Sequence, residues 1–260
     1  MTRTRVRWSL VGLLVLVLAG SMPSGLAASI EAAEQPTVDE LLRRVDDLLR
    51  GASSRGTMTM RIKSTKWERE LSMAVQSKGA DRTLIQILSP PKEKGTATLK
   101  VEKNIWHYLP KVDRTIKVPA SMMSGAWMGS HFTNDDLVRE SRYGNDYQCD
   151  FERLPDSADG HYLIACIPNE DAPVVWGKVE ISVRASDELA DEVRFFDERG
   201  NLKRTMLYED IGDLGGKRLP RRIRVLPADK PGELTEISYA EMEFDVEIPD
   251  RTFSLQALRR

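Results

Sequence analysis

Residues 121–137, SMMSGAWMGSHFTNDDL, decide between the folds that are open to this chain. The large apolar side chains in this stretch are Met122, Met123, Trp127, Met128 and Phe132. Only Ser, Gly, Ala and His lie between them, and a strongly polar Thr-Asn-Asp-Asp run follows. Large contiguous apolar patches are rare on the surface of soluble proteins. We therefore expect this stretch to cover, or to be covered by, another part of the chain.

The sequence on both sides of this stretch consists of short runs that are typical of β-strands. The runs before it are TMTMRIK, ELSMAVQ, DRTLIQIL, GTATLKVE, NIWHYLP and RTIKVP, and those after it are YQCDFERL, GHYLIACIP, VVWGKVEISVR, LADEVRFFD, GNLKRTMLYED, RLPRRIRVLP and GELTEISYAEMEFDVEIP. Because the turns between them are short, antiparallel hairpins are the economical connection. Such a meander forms either a sandwich or a curved sheet that wraps around its own apolar face. The apolar stretch at 121–137 favours the curved sheet, with this stretch as a lid or plug over the concave side.

One helix is predicted before the strands. In residues 37–51, TVDELLRRVDDLLRG, the apolar residues recur at helical spacing and form a single face. Thr37 and Glu40 have the spacing of a capping box at the start, and Gly51 suits the end. The apolar face of this helix has to dock on another element.

The first 28 residues have the pattern of a cleaved secretory signal peptide. Three arginines among the first seven residues precede an apolar run at 10–19, and small residues at 21–28 suit a signal-peptidase site. The apolar run is too short to span a bilayer comfortably, and a membrane anchor is the alternative. We therefore expect residues 29–260 to form a single domain in the periplasm.

The composition argues against some classes of protein. Charged residues make up 30% of the chain and hydrophobic residues 41%, which is an ordinary globular balance. The formal net charge is −2 and the pI is about 6.0, without the basic excess of a nucleic-acid-binding protein. We expect a monomer that binds no nucleic acid.

The two cysteines, Cys149 and Cys166, lie in adjacent predicted strands. If the hairpin loop runs from Pro155 to Gly160, the two residue numbers of each cross-strand pair sum to 315. The residue numbers of Cys149 and Cys166 also sum to 315, so these residues would be paired. This register places the sulfur atoms opposite each other, which in an exported protein favours a disulfide. Two buried thiols on separate elements are the alternative. No His lies at ligand spacing from either cysteine, so we expect no metal site.

The block at 88–137, LSPPKEKGTATLKVEKNIWHYLPKVDRTIKVPASMMSGAWMGSHFTNDDL, resembles the outer-membrane lipoprotein-sorting proteins of the periplasmic lipoprotein-carrier (LolA/LolB-like) superfamily. The matching pieces are SPPKEKGTA, NIWHYLPKVDRTIKV and WMGSHFTNDDL. A looser likeness continues through YGNDYQCDFERL and LKRTMLYED to RTFSLQAL, so that the resemblance covers most of the chain. The sequence departs from the pattern at His131, where relatives more often have an acidic residue.

The resemblance implies a mainly β (α+β) fold: an open, incomplete antiparallel β-barrel, which we expect to have about 11 strands, with helices covering the concave face. It also implies an apolar cavity for acyl chains and carriage of a lipid or an acylated lipoprotein across the periplasm. The expected partners are a membrane transporter or an outer-membrane acceptor. No cofactor is implied.

The apolar residues of 121–137 are the first candidates for the ligand cavity. Methionine is unbranched and repacks around irregular shapes, so Met122, Met123, Trp127, Met128 and Phe132 suit the mouth of a lipid cavity. A plug that is permanently docked in the core is the alternative. On the strand NIWHYLP we expect Trp106 and Tyr108 to face the concave side. Ordinary core packing is the alternative for these two residues. Further candidates for the cavity wall are Met60, Leu84 and Leu99.

Two functions other than carriage are compatible with parts of the sequence. A serine hydrolase is one alternative, because Ser130 and His131 are followed by Asp135 and Asp136. However, the sequence contains no Gly-x-Ser-x-Gly nucleophile elbow. We therefore expect no catalytic residues and interpret the Thr133–Asp136 run as the start of a short helix capped by Thr133. A regulator that senses lipid with the same half-barrel is the remaining alternative.

Overall fold

The computed structural model describes residues 35–139, 146–157 and 160–259. The predicted signal peptide at 1–28 lies outside the described residues. Residues 36–260 form one compact unit. Within the described residues, no helix is long and apolar enough to cross a membrane.

All of the sequence runs predicted as strands are strands in the structure. They are β1 Ser53–Lys63, β2 Glu68–Lys78, β3 Arg82–Ser89, β4 Ala97–Val101, β5 Asn104–Leu109, β6 Arg114–Lys117, β7 Tyr147–Arg153, β8 His161–Pro168, β9 Lys178–Arg184, β10 Ala190–Phe196, β11 Leu202–Leu214, β12 Lys217–Pro227 and β13 Leu234–Phe244. Alternation explains why they form a sheet with one apolar face. In β9, for example, Val179, Ile181 and Val183 are buried, whereas the residues between them are half-buried.

In the described residues, the 13 strands form one antiparallel sheet in the order β6-β5-β4-β3-β2-β1-β13-β12-β11-β10-β9-β8-β7. The chain therefore starts at the middle of the sheet and proceeds strand by strand to the β6 edge. It then crosses to the opposite edge, β7, and returns to pair β13 with β1. We call residues 118–139 the crossing segment, since they are the described part of this connection.

The sheet curls around the crossing segment. Strands β4 and β11 are six positions apart, which is about 29 Å in a flat sheet. Yet Trp127 donates a hydrogen bond to Thr98 of β4, and Arg204 of β11 donates one to the carbonyl of His131. Residues 127 and 131 can lie at most about 14 Å apart. Both halves of the sheet therefore face the same short piece of chain, as in an open barrel.

The expected strand number of about 11 and the expected helical cover are both corrected by the structure. The sheet has 13 strands in the described residues. Its inner face is covered by α1, Val38–Arg50, and by the crossing segment, which contains the short α2, Asn134–Arg139. Most of the crossing segment is irregular, because its many glycine and serine residues favour turns over helix.

Helix α1 forms as predicted. The Thr37 hydroxyl accepts a hydrogen bond from the Glu40 N–H at 3.3 Å, and the Glu40 carboxylate accepts one from the Thr37 N–H at 2.9 Å. Gly51 ends the helix with a φ of 65°, a conformation that glycine adopts without strain. Leu41 is fully buried in the main core with the inner-face residues of the sheet.

A C-terminal segment covers part of the outer face of the sheet. Ile248, Phe253 and Leu258 form a second core with the side chains of β3 and β4 that point away from the crossing segment. Asp250 anchors this segment through Lys78 at 2.6 Å and Arg82 at 2.8 Å. The β3–β5 region of the sheet is therefore covered on both faces.

The two cysteines form the predicted disulfide. Cys149 of β7 pairs directly with Cys166 of β8, and the S–S distance is 2.06 Å. Nearer to the hairpin loop, the register shifts by one residue at a bulge between Phe151 and Arg153. The predicted register is therefore correct at the cysteines and differs by one residue close to the turn.

We expect the Cys149→Ala/Cys166→Ala double variant to lose about 3 kcal/mol of unfolding free energy, because the bridge restricts the unfolded chain across a separation of 17 residues. Urea denaturation followed by circular dichroism measures the change. Reduction of the wild-type protein should shift the urea midpoint in the same direction. An unchanged midpoint in both experiments would contradict a stabilising role for the bridge.

Candidate functional site

A cavity of about 170 Å³ lies between the inner face of the sheet and the crossing segment. It is bordered by strands of both halves of the sheet, from β4 on one side to β11 and β12 on the other. Its lining residues are Ser54, Met58, Val75, Ser77, Thr83, Ile85, Thr98, Lys100, Trp127, Phe132, Asp136, Leu137, Tyr208, Leu214, Leu219, Pro220, Ile223, Ile237, Tyr239, Met242 and Phe244. Most of this wall is apolar, so the cavity suits a hydrocarbon group.

Trp127 and Phe132 form the part of the crossing segment that roofs the cavity. Their side chains are 2% and 5% exposed. The Trp127 Nε1–H donates a hydrogen bond to Thr98 Oγ1 at 3.1 Å, which satisfies the polar end of the indole. The backbone N–H of Trp127 donates to the Phe132 carbonyl at 2.8 Å, which brings the two aromatic residues together in a tight turn.

Arg204 of β11 holds the end of this turn. Its guanidinium donates to Asp136 at 2.7 Å and to the His131 carbonyl at 2.9 Å. The group is only 4% exposed and lies over the rings of Trp176 and Phe195, at 4.6 Å and 4.2 Å. Removal of one member of such a buried pair leaves an uncompensated charge, so this contact strongly favours the docked position of residues 131–136.

His131 makes a second contact between the crossing segment and the sheet. Its backbone N–H donates to Thr235 Oγ1 at 3.0 Å, and its ring contacts the same oxygen and Glu233. Glu233 also accepts hydrogen bonds from the Thr65 N–H and the Ser64 hydroxyl, at 3.1 Å and 3.0 Å. These donors, the Thr65 N–H first, lower the pKa of Glu233 to about 2.

Asn134 makes a third contact, on the β5 side. Its side chain donates to the Met122 carbonyl at 3.0 Å, and its carboxamide oxygen lies 3.3 Å from His107 Nε2. Burial lowers the pKa of His107, and the Asn134 hydrogen bond opposes this shift. The start of α2 is thereby attached to the inner face of β5.

The turn at Met128 is held differently. Met128 has a φ of 53°, in the left-handed region that a methionine rarely adopts and that costs roughly 1–2 kcal/mol. Its carbonyl accepts a hydrogen bond from Arg69 of β2, which also pairs with Glu93. The residues before it, 119–122, are exposed. The crossing segment thus has a firmly bonded half at 130–136 and a more exposed, strained half at 119–129.

The structure brings together some of the residues predicted for the cavity. Trp127 and Phe132 line it, and Met60 is fully buried in the same core. Met128 is half-buried against this core, and Met123 is half-buried in the turn before it. Met122 is 57% exposed.

Other predicted residues lie on the opposite face of the sheet. Leu84, Leu99, Trp106 and Tyr108 pack in the core under the C-terminal segment. The alternation in β4 and β5 instead directs Thr98 and His107 toward the crossing segment, where they are hydrogen-bonded to each other at 3.0 Å. Sequence reasoning assumed that the aromatic positions face inward and did not foresee an apolar cover on the outer face.

The polar residues that line the cavity were not predicted from the sequence. Ser54, Ser77, Thr83 and Lys100 line it, although none of them was a candidate. A signal was present, since Lys100 lies in a short strand whose other residues are apolar or threonine and which is buried on both faces. Such a lysine usually indicates an exposed position, which is why it was not noticed.

The predicted cap at Thr133 is confirmed. The Asp136 N–H donates to Thr133 Oγ1 at 3.2 Å, and the Thr133 N–H donates to the Asp136 carboxylate at 2.6 Å. Ser130 and His131 have separate partners. The Ser130 hydroxyl donates to the Trp127 carbonyl at 2.7 Å, while the His131 ring contacts β13 and Glu233. This geometry does not resemble a nucleophile and its base.

The fold defined by this sheet and its crossing segment is similar to that of several solved structures, one of them a protein of the LolA superfamily. A LolA superfamily protein from Nitrosomonas europaea has a similar structure, with a TM-score of 0.71 and 24% identity, covering 86% of this chain and 100% of that one. A putative outer membrane lipoprotein-sorting protein domain from Vibrio parahaemolyticus has a TM-score of 0.69 and 20% identity, with coverage of 80% and 92%. A DUF1329 family protein from Desulfovibrio piger has a TM-score of 0.76 and 20% identity, with coverage of 84% and 96%.

Sequence comparison identifies the family to which the chain belongs. A family model described as that of an uncharacterized protein matches residues 79–260, which is well over half of the chain, and the chain belongs to this family. No curated protein matches the sequence.

We expect the Glu233→Gln variant to have a lower melting temperature than the wild type at pH 7. The folded-state pKa of about 2 lies below the ordinary value of 4.5, so the ionised carboxylate stabilises the fold above pH 4.5. This stabilisation falls between pH 4.5 and about 2 and is lost below that range. Differential scanning calorimetry of both proteins from pH 7 to pH 2 measures the difference.

Glu241→Gln, an exposed change on β13, the strand that follows Glu233, controls for the loss of one negative charge. A Glu233→Gln difference that stays constant down to pH 2 would contradict the assignment of the effect to the ionised Glu233 carboxylate.

Proposed function

We propose that the mature chain is a periplasmic carrier that holds an acyl chain of a lipid or an acylated lipoprotein and passes it to a membrane acceptor or a transporter. The observation that carries this proposal is the apolar cavity roofed by Trp127 and Phe132. The shared fold with lipoprotein-sorting proteins supports it. Binding and release need no cofactor and no covalent chemistry.

A lipid carrier has to compensate for the large free energy of transferring an acyl chain into water. Each methylene group removed from water contributes roughly 0.8 kcal/mol, so a sixteen-carbon chain alone is worth about 12 kcal/mol. A protein that carries such a chain through water has to offer a comparable apolar surface. The wall residues of the cavity, such as Ile85, Ile223 and Ile237, offer a surface of this kind.

The volume of the cavity indicates that loading involves movement. At about 170 Å³ it is close to cavities that bind a benzene-sized molecule, whereas ligand pockets usually have about 300–1,000 Å³. The cavity as it stands therefore accepts part of one acyl chain. A longer chain needs the roof to move aside.

We place this movement in the half of the crossing segment at 119–129. This half is attached to the inner face by the Trp127–Thr98 bond and the Arg69 contact to Met128, and Met128 is strained. The half at 130–136 is bonded to β5, β11 and β13. Trp127 would thus swing outward while Phe132 stays docked, so that one segment is both lid and plug. This movement breaks the hydrogen bonds from the Trp127 N–H to the Phe132 carbonyl and from the Asn134 N–H to the Gly125 carbonyl.

We expect native mass spectrometry of the protein purified from the periplasm to show a copurifying lipid or acylated peptide. The retained mass should exceed that of the apo chain, and gentle collisional activation should release the lipid for identification. A protein that emerges only as the apo chain, and that also takes up no lipid from added vesicles, would contradict carriage.

We expect the Val75→Trp variant to reduce the affinity for a fluorescent fatty acid at least tenfold, because Val75 lines the cavity and an indole there would fill it. The melting temperature should stay the same or rise, since the added ring replaces empty space instead of packed atoms. A fluorescence titration measures the affinity.

Val112→Trp is the matched control, because Val112 is 60% exposed and does not line the cavity. Equal binding by the wild type and the Val75→Trp variant would place the lipid elsewhere on the protein.

A further inference from the structure

Exposed apolar side chains lie at the β6 edge of the sheet. In the described residues β6 is the last strand in the order and pairs only with β5. Ile116 on this strand is 47% exposed, Val112 in the turn before it is 60% exposed, and Met122 after it is 57% exposed. Single apolar residues are common on protein surfaces, so the distances between these three decide whether they form one surface.

Ile116 and Met122 are connected by a short chain of contacts. Ile116 is the cross-strand partner of His107, whose Nε2 lies 3.3 Å from Asn134 Oδ1. Asn134 in turn donates to the Met122 carbonyl at 3.0 Å. Val112 precedes Ile116 by four residues, so their Cα atoms lie at most about 14 Å apart. The three exposed apolar residues therefore belong to one part of the surface, beside the start of the crossing segment.

The same part of the chain is basic. Residues 103–134 contain one acidic residue, Asp113, and four basic ones, Lys103, Lys111, Arg114 and Lys117. The whole chain, in contrast, has 38 lysine and arginine residues and 40 aspartate and glutamate residues. Lys111, Arg114 and Lys117 are exposed, and they flank Val112 and Ile116 in the sequence. We call these five residues, together with Met122, the edge patch.

Protection of the sheet edge does not explain this combination. Charged residues on an edge strand prevent pairing with other chains, and either sign of charge does so. A protective edge would also have few exposed apolar side chains, because these favour association. Basic and apolar side chains that are exposed together are instead typical of segments that bind anionic membrane surfaces.

We propose that the edge patch docks the protein on a lipid bilayer that contains anionic lipids. The three basic residues contact the headgroups, and the three apolar residues enter the boundary between headgroups and acyl chains. A fluid bilayer fits an irregular edge of this kind, whereas a stable contact with a protein needs a complementary surface of about 800 Å² on each partner. The inference rests on the proposed function, since it names the membrane surface at which the acyl chain is collected or delivered.

The position of the edge patch suits this role. Strand β6 ends at Lys117, and the Val118 N–H still donates to the Ile105 carbonyl at 2.9 Å. The half of the crossing segment in which we place the movement, 119–129, follows directly and includes Met122 of the patch. Docking would therefore bring the moving part of the roof to the membrane, so that an acyl chain passes between cavity and bilayer over a short distance.

The test measures co-sedimentation of the mature protein with two kinds of vesicle. One consists of phosphatidylcholine alone, and the other of equal parts of phosphatidylcholine and phosphatidylglycerol. We expect binding to the anionic vesicles to be roughly tenfold tighter or more, and to weaken as salt is added. This preference is diagnostic, because the chain has a formal net charge of −2 and is repelled by an anionic surface unless a local basic patch faces it.

Neutralisation of the basic residues should remove the preference. Each basic residue near an anionic surface strengthens binding about fivefold, so the triple variant Lys111→Gln/Arg114→Gln/Lys117→Gln should bind the anionic vesicles roughly a hundredfold more weakly. None of the three residues lines the cavity, so the variant should take up a fluorescent fatty acid from solution as the wild type does. The matched control removes the same charges from exposed positions between other strands, through Lys66→Gln, Arg199→Gln and Lys230→Gln.

The apolar residues are tested separately. The Ile116→Ser/Met122→Ser variant should bind the anionic vesicles roughly fivefold more weakly or less tightly still, because less apolar surface enters the bilayer. Leu202→Ser/Leu255→Ser is the matched control, since these leucines are 40% and 49% exposed outside the edge patch. Circular dichroism and melting temperature confirm that each variant is folded.

The outcomes separate docking from carriage. Equal binding of the wild type to both kinds of vesicle, or binding to neither, overturns the docking proposal, and so does full affinity of the triple variant for the anionic vesicles. Binding of the wild type to immobilised polyglutamate but to neither vesicle also overturns it, since the patch would then recognise an acidic protein. If the fatty acid is still taken up in these cases, the proposed carriage stands. A wild type that binds anionic vesicles but takes up no fatty acid contradicts carriage and supports the membrane contact alone.

Discussion

Burial of the aromatic side chains of the crossing segment is the constraint on which the rest of the structure depends. The segment joins opposite edges of the sheet, so it has to pass over one of its faces. Trp127 and Phe132 can leave water on all sides only if the sheet curls around them, and each such burial is worth roughly 2–3 kcal/mol. The same segment is bonded to β5 and β4 on one side and to β11 and β13 on the other, so it lies inside the curl. An open barrel with a covered inner face follows from these two requirements.

The two halves of the crossing segment have complementary roles in this arrangement. Residues 130–136 are fixed by buried bonds, above all the pair of Arg204 and Asp136. Residues 119–129 contribute the apolar roof, are bonded mainly to residues 130–136 and include a strained Met128. The proposed carriage needs both features, because a roof that cannot move would keep ligands out, and a roof without firm anchors would not form. The division lies at Ser130, whose hydroxyl donates to the Trp127 carbonyl and accepts from the Phe132 N–H.

Local patterns predicted the elements of this fold well, and they predicted its faces less well. The capping box of α1, the strands and the disulfide between Cys149 and Cys166 follow from spacing within a few residues. The face on which Trp106 lies does not, because alternation defines two faces without saying which one is inside. That choice depends on the distant C-terminal residues, such as Phe253, that cover the outer face. The polar side of the cavity could not be predicted either, since Ser54, Ser77, Thr83 and Lys100 come from four strands and become neighbours only through the register.

The pairing of β1 with β13 has a consequence for the way this molecule is made. These strands form the middle of the sheet but come from the two ends of the described chain. The hairpins on either side can assemble from local contacts, whereas the central seam has to wait until the last strand is available. Until then two half-sheets coexist, each with an unpaired edge that invites contact with other chains. A polypeptide with this topology therefore gains its continuous sheet in a late, long-range step, after β13 has been made.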